Sequence, residues 1–508
     1  MLFNSLPFLC GFLPLTLAAF FLLGRTSHRL AALFLAAASL FFYGWWNPSY
    51  LGLLIASVVF NYGAGALIGR LARRGAVGSA KLCLAVAVVG DLALLGVFKY
   101  AGFFAGVVGG IVGTSFSPGA ILLPLGISFF TFTQIAFLVD TYQGKAQEYD
   151  VVRYLLFVTY FPHLIAGPIL HHAQIMPQFA EPRTYRPDWG NLAVGVTIFA
   201  IGLVKKVLVA DNLAVIANPI FGAAQRGAHP ALAEAWAGAL AFALQLYFDF
   251  SGYSDMAIGL SRLFNVKLPL NFDSPYKATS IIDFWRRWHM TLSAFLLAYL
   301  YIPLGGNRHG TPRRYLNLFL TMLLGGLWHG AGWTFLAWGA LHGVYLMINH
   351  GFRAACRRWQ WPPRRLGMAG TFAAGALTFA AVTAGWVIFR ADSFASASVM
   401  LQGMFGTTGI SHRKVFAESG LADDNLLPIL AALLAVWILP NTQQFMRLYD
   451  PAPSPVAAPR GLASRLWAAR LVWRPEAWWS WLPIAAGFAG AVIAMSAGHV
   501  SEFLYYQF

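Results

Sequence analysis

Long apolar stretches recur along this chain, and their lengths predict membrane-crossing helices joined by short polar turns. The apolar runs fall at about residues 6–23, a run starting at Leu30, then 50–68, 82–98, 122–144, 191–209 and 231–250. A second series follows at about 316–327, 333–348, 368–389, 426–439 and 484–495. A crossing helix needs roughly 17 to 25 such residues, so the expectation is an all-α polytopic transmembrane helical bundle of about 11 to 13 membrane helices in a single integral membrane domain over 1–508. Three stretches break the pattern. Residues 101–113 are Gly-rich and predict a short span or an interfacial piece. Residues 160–179 are interrupted by Pro162, Pro168 and Pro177, which predicts a broken or re-entrant helix lining a site. Residues 450–481, rich in Pro, Ala, Arg and Trp, read as an interfacial segment, and Asn218-Pro219 reads as a linker. No internal repeat is visible.

Composition agrees. The chain is 58% apolar and 11% charged, where soluble proteins carry about 25% charged residues. The net charge of +16 sits in short loops: Arg25 and Arg29, Arg70 to Lys81, Lys145 to Arg153, Arg308 to Arg314, and Arg353 to Arg365. These are positive-inside topology signals, which place the N-terminus on the periplasmic side; no basic and aromatic surface module points to nucleic acid. The first apolar run lacks a basic leader segment and reads as a retained span. Cys10, Cys83 and Cys356 are too scattered for a disulfide framework or a zinc site. His163, His171 and His172 lack acidic or cysteine ligands at helical spacing, so no metal is expected.

Polar residues inside apolar sequence are costly unless paired, solvated or functional, which makes 245–345 the candidate site region. Asp249, Tyr253 and Asp255 end an apolar helix. Ser280 is a plausible helix cap with Asp283 three residues on. Arg286 and His289 would share a helical face, Asp283 would pair with Arg287 at i,i+4, and the cationic patch suits a phosphate-bearing donor. Asp91 would pair with Lys99 or line a cavity. His329 lies between Trp328 and Trp333 and among Gly325, Gly326, Gly330 and Gly332, where backbones and ligands can approach closely. Imidazole accepts a proton near neutral pH, as acyl transfer to a hydroxyl requires; the blander reading is a helix-to-helix hydrogen-bond partner.

The segments FDFSGYSDMAIG, NFDSPYKATSIIDFWRRWHMTLS (from Asn271), YLYIPLGGNRHG and GGLWHGAGWTFLAWGALHG resemble the bacterial polysaccharide branch of the membrane-bound O-acyltransferase superfamily, of the alginate and cellulose O-acetylation type. PLGISFFTFTQIAFLVDTYQG, FPHLIAGPI, WVIFRADSF and the terminal EFLYYQF extend the likeness over nearly the whole chain. The resemblance implies an acetyltransferase with a helical funnel and a catalytic core over 120–350, in the bacterial inner membrane. It makes His329 catalytic with His289 nearby. Arg286, Arg287, Trp328, Trp333, Asp249, Tyr253, Asp255 and Asn271 become substrate-binding candidates. It further implies acetyl-CoA as donor with no bound cofactor, and a periplasmic acetyltransferase partner and polysaccharide synthase complex alongside membrane lipids. Leu297-Ala298 departs from the Arg-Asp pair usual in relatives, which leaves that helix's contacts open. The rival readings are a membrane transporter and a structural anchor without transferase chemistry.

Overall fold

In lipid the backbone has only itself to satisfy its N–H and C=O groups, and this chain answers with helices. The computed structural model describes residues 1–114, 122–146, 150–360, 367–410, 416, 426–453, 471–498 and 501–504, and among them every regular element is helical. In order, the principal ones are α1 (Pro7–Gly24), α2 (His28–Gly44), α3 (Pro48–Arg73), α4 (Val77–Val112), α5 (Ile127–Tyr142), α6 (Val151–Thr159), α7 (Phe161–Leu164), α8 (His172–Ala180), α9 (Trp189–Gln225) and α10 (Leu232–Leu263). Then come α11 (Ile281–Trp285), α12 (Met290–Tyr301), α13 (Gly310–His329), α14 (Trp333–Arg358), α15 (Gly367–Arg390), α16 (Phe394–Met404), α17 (Leu427–Ile438) and α18 (Trp478–Ser496).

Among the described residues, six helices are long and apolar enough to cross a membrane: α1, α3, α4, α9, α15 and α18. α2, α12 and α17 are shorter apolar helices. Large side chains such as Leu15, Ile111, Leu377 and Leu427 face outward, as a lipid-facing surface demands. Two expectations are corrected. The Gly-rich stretch 101–113 is no separate piece: a π turn at Gly96–Tyr100 carries α4 through it. Asn218 and Pro219 are not a linker either, since α9 continues to Gln225. The break expected at 160–179 is present, with irregular backbone between α7 and α8. Of the interfacial segment 450–481, residues 454–470 lie outside the described residues, and the last of it opens α18.

Close approach between helices rests on paired glycines. Gly195 and Gly202 of α9 face Gly259 and Gly252 of α10: a Cβ on Gly202 would lie 2.6 Å from the Gly252 carbonyl oxygen, and one on Gly259 would lie 2.5 Å from the Phe199 nitrogen. Side chains there would force these two long helices apart, so small residues let dispersion contacts run their length. α13 and α14 form a second hairpin on the same principle, with Gly326 against Gly339 and the Phe335 carbonyl. The buried apolar residues fall into two clusters, one holding α1–α8 and Trp328, the other holding Trp288, Trp338, Trp386 and Phe389. The site lies on the seam between them.

Candidate active site

α13 stops at His329 because Gly330 turns to extended backbone (φ −161°, ψ 149°). A helix end leaves its last carbonyls without intrahelical partners. Here another helix supplies them: Tyr100 Oη donates to the Leu327 carbonyl at 2.9 Å, and Lys99 Nζ donates to those of Trp328 and His329 at 2.5 and 3.1 Å. Lys99 Nζ also lies 3.3 Å from Ser128 Oγ. The His329 ring is buried within an aromatic cage, edge-on to Trp338 at 5.2 Å and to Phe389 at 5.5 Å between ring centroids.

His289 comes to the same place by a different route. It sits between α11 and α12 with φ 44° and ψ 54°, a left-handed conformation that non-glycine residues rarely adopt and that the surroundings must enforce. Asn271 enforces it. The Asn271 carbonyl accepts from Met290 N at 3.0 Å. Asn271 Oδ1 accepts from Thr291 N at 3.3 Å and Thr291 Oγ1 at 2.9 Å, and lies 3.1 Å from His289 Nδ1. An amide oxygen only accepts, so Nδ1 carries the proton and Nε2 keeps its lone pair. Thr291 Oγ1 in turn accepts from Ile169 N at 3.0 Å, which satisfies the irregular segment after Pro168. The His289 and His329 rings lie 6.3 Å apart.

A cavity of about 240 Å³ opens against His329, lined also by Trp328, Lys99, Ser128, Trp46 and Glu502. Beyond Trp333 a second space, about 640 Å³, meets Phe335, Phe389, Arg390 and Asp392. A third imidazole, His342 of α14, stands behind Trp338, 4.9 Å from its ring, and its Nδ1 accepts from Trp285 Nε1 at 3.2 Å.

The structure thus brings together His329, His289, Trp328 and Asn271. It holds the other candidates elsewhere. Asp249 forms a buried ion pair with Lys206 at 2.8 Å and accepts from Leu504 N, while Lys206 also contacts Asp211, Ser501 and the Glu502 carbonyl. Asp255 pairs with Lys205 at 2.6 Å and accepts from Thr442 and Gln443. Tyr253 stacks on Phe3 and meets Phe503 edge-on. Arg287 is buried against Asp273 and Asp283, the latter at 3.1 Å in the expected i,i+4 pair, and Ser280 caps α11 as expected. Arg286 is exposed and shares no face with His289, because α11 ends at Trp285 before His289 is reached. Trp333 is 55% exposed, packed edge-on to Phe103. Asp91 bonds Asn61 at 2.8 Å, not Lys99. His171 and Asp140 both meet Tyr299 Oη, at 3.0 and 2.9 Å, and His172 lies between Asp140 and the Lys145 carbonyl. From sequence Lys99 was read only as a partner for Asp91, and His342 was not singled out; a lysine inside an apolar run was the available signal.

Fold and site together define a multi-pass helical membrane protein with a histidine pair lodged inside its bundle at a capped helix break. The chain belongs to the membrane-bound O-acyltransferase family, whose model matches residues 121–381, and it is an acyltransferase. It is 42% identical to the peptidoglycan O-acetyltransferase of Helicobacter pylori over 81% of each chain. It is 41% identical to the probable alginate O-acetylase AlgI of Pseudomonas aeruginosa over 100% of both. A teichoic acid D-alanyltransferase of Bacillus subtilis is 27% identical over 54% of this chain and 71% of its own length.

Proposed function

We propose that the protein is an O-acetyltransferase that moves acetyl from cytoplasmic acetyl-CoA across the bacterial inner membrane to a periplasmic acceptor or partner acetyltransferase. The end product is an O-acetylated exopolysaccharide of the alginate or cellulose type, made beside a polysaccharide synthase complex. The observation that carries this reading is that His329 lines a cavity while its buried ring lies 6.3 Å from that of His289. The names of the two similar O-acetylating relatives support the acetyl group and a polymer acceptor.

In this reading His329 takes the acceptor's hydroxyl proton as the oxygen attacks the thioester carbonyl, and the proton returns to the departing thiolate. A covalent acetyl-histidine is the relay form of the same chemistry. His289, fixed by Asn271 with Nε2 as its acceptor, supports the pair. The N-terminus is periplasmic, and about 11 to 13 membrane helices form the funnel. His329→Ala tests the reading: polymer acetylation is lost at normal protein level, whereas normal acetylation would remove His329 from the mechanism. Purified protein given radiolabelled acetyl-CoA, with and without periplasmic fractions, turns over thioester; no turnover with any acceptor would favour transport instead.

A further inference from the structure

We propose that Lys99 is a positioning residue for acyl transfer, the fixed cation that makes the helix end at His329 electrostatically fit for it. This rests on assigning the chemistry to His329. A helix C-terminus carries roughly half a negative charge, held on its unsatisfied carbonyls. α13 aims that end at the cavity where His329 works. Acyl transfer builds negative charge there too. The acceptor oxygen bonds to the acyl carbon while its proton passes to the imidazole, and the carbonyl oxygen becomes an oxyanion; the bond to the leaving sulfur then breaks and the imidazolium proton goes to that sulfur. An uncapped carbonyl end beside this oxyanion would raise the energy of the tetrahedral intermediate.

Lys99 reverses the sign. Its ammonium donates to the carbonyls of Trp328 and His329, reaches Ser128 Oγ, and stands on the cavity wall with the imidazole. Its three hydrogen-bond partners are all oxygen atoms, as three N–H donors and no acceptor require, and Nζ also lies 5.8 Å from the centre of the Trp328 ring. The π turn at Gly96–Tyr100 is the local device that delivers it. Tyr100 provides the internal control, since its hydroxyl caps the Leu327 carbonyl of the same helix end without charge.

The test compares Lys99→Met, Lys99→Gln, Lys99→Arg and Tyr100→Phe in purified protein, with thermal midpoint and detergent-exclusion profile measured beside kcat and KM. Lys99→Met lowers kcat by roughly 10²-fold, the usual scale for one preorganised charge, while KM stays within about threefold. Lys99→Arg recovers most of that kcat, Lys99→Gln does not, and Tyr100→Phe costs less than about threefold. Equal activity of the Gln and Arg variants would overturn the proposal, as would an unchanged kcat in folded Lys99→Met. Should Met misfold, the Gln and Arg pair still decides. A fully active His329→Ala would sink the His329 assignment instead, whereas an inactive His329→Ala with a wild-type kcat in Lys99→Met would sink this proposal alone.

Discussion

Replacing Asn271 by Ala removes the one oxygen on which the position of His289 depends. Oδ1 accepts from the rotatable Thr291 hydroxyl and from two fixed, buried donors, His289 Nδ1–H and the Thr291 backbone N–H. Each donor left without a partner costs about 1–3 kcal/mol, so the two together cost roughly 2–6 kcal/mol before any relaxation. The left-handed backbone of His289 adds about 1–3 kcal/mol of strain that those bonds now contain. With the acceptor gone, the loop relaxes, the ring turns, and the proton is no longer confined to Nδ1. Asn271→Ala is therefore expected to lower the thermal midpoint in detergent markedly and to lose acyl transfer, measured as acylated product per folded protein. Asn271→Asp keeps an acceptor in the same place and should recover part of the stability. An Asn271→Ala protein with wild-type melting and wild-type transfer would refute the assignment of Asn271 as the element that fixes His289.

Other outcomes follow from the same packing. Gly326→Ala should prevent the α13–α14 hairpin from closing, because its Cβ would collide with the Phe335 carbonyl; Gly325→Ala meets only the flexible Leu296 side chain at 3.3 Å and should be tolerated, with detergent-stable yield as the measure. Lys206→Met strands Asp249, 2% exposed, and should cost about 3–5 kcal/mol, read as loss of monodisperse protein; near-normal melting would contradict a buried ion pair. Trp328→Ala should cost about 3–5 kcal/mol through the cavity left beside Phe129 and Phe132, whereas Trp333→Ala, half exposed, should leave the melting temperature nearly unchanged.

What the sequence revealed and what it hid divide along one physical line. Features set by local periodicity were readable: the apolar spans, the Ser280 cap, the Asp283–Arg287 pair one turn apart, and the proline-broken segment before His171 all follow from neighbours in the chain. Features set by which helix lies opposite were not. Asp249 and Asp255 look like site carboxylates until Lys206 and Lys205 meet them across the glycine-lined contact of α9 and α10. Arg286 and His289 share a face only if the helix continues, and it ends at Trp285 because Asn271, outside that helix, holds His289 in a left-handed turn.

Lys99 is the most instructive case. Its eight-residue separation from Asp91 is about 12 Å along one helix, too far for the pairing that the sequence suggested. A half-buried lysine without a carboxylate needs other oxygen atoms, and a helix ending in His329-Gly330 offers its terminal carbonyls. The lysine inside an apolar run and the glycine-rich surroundings of His329 were both visible in the sequence, as two separate features. The fold sets them against each other, so that the exposed carbonyls of α13 and the cation of α4 satisfy one another at the wall of the cavity that His329 shares.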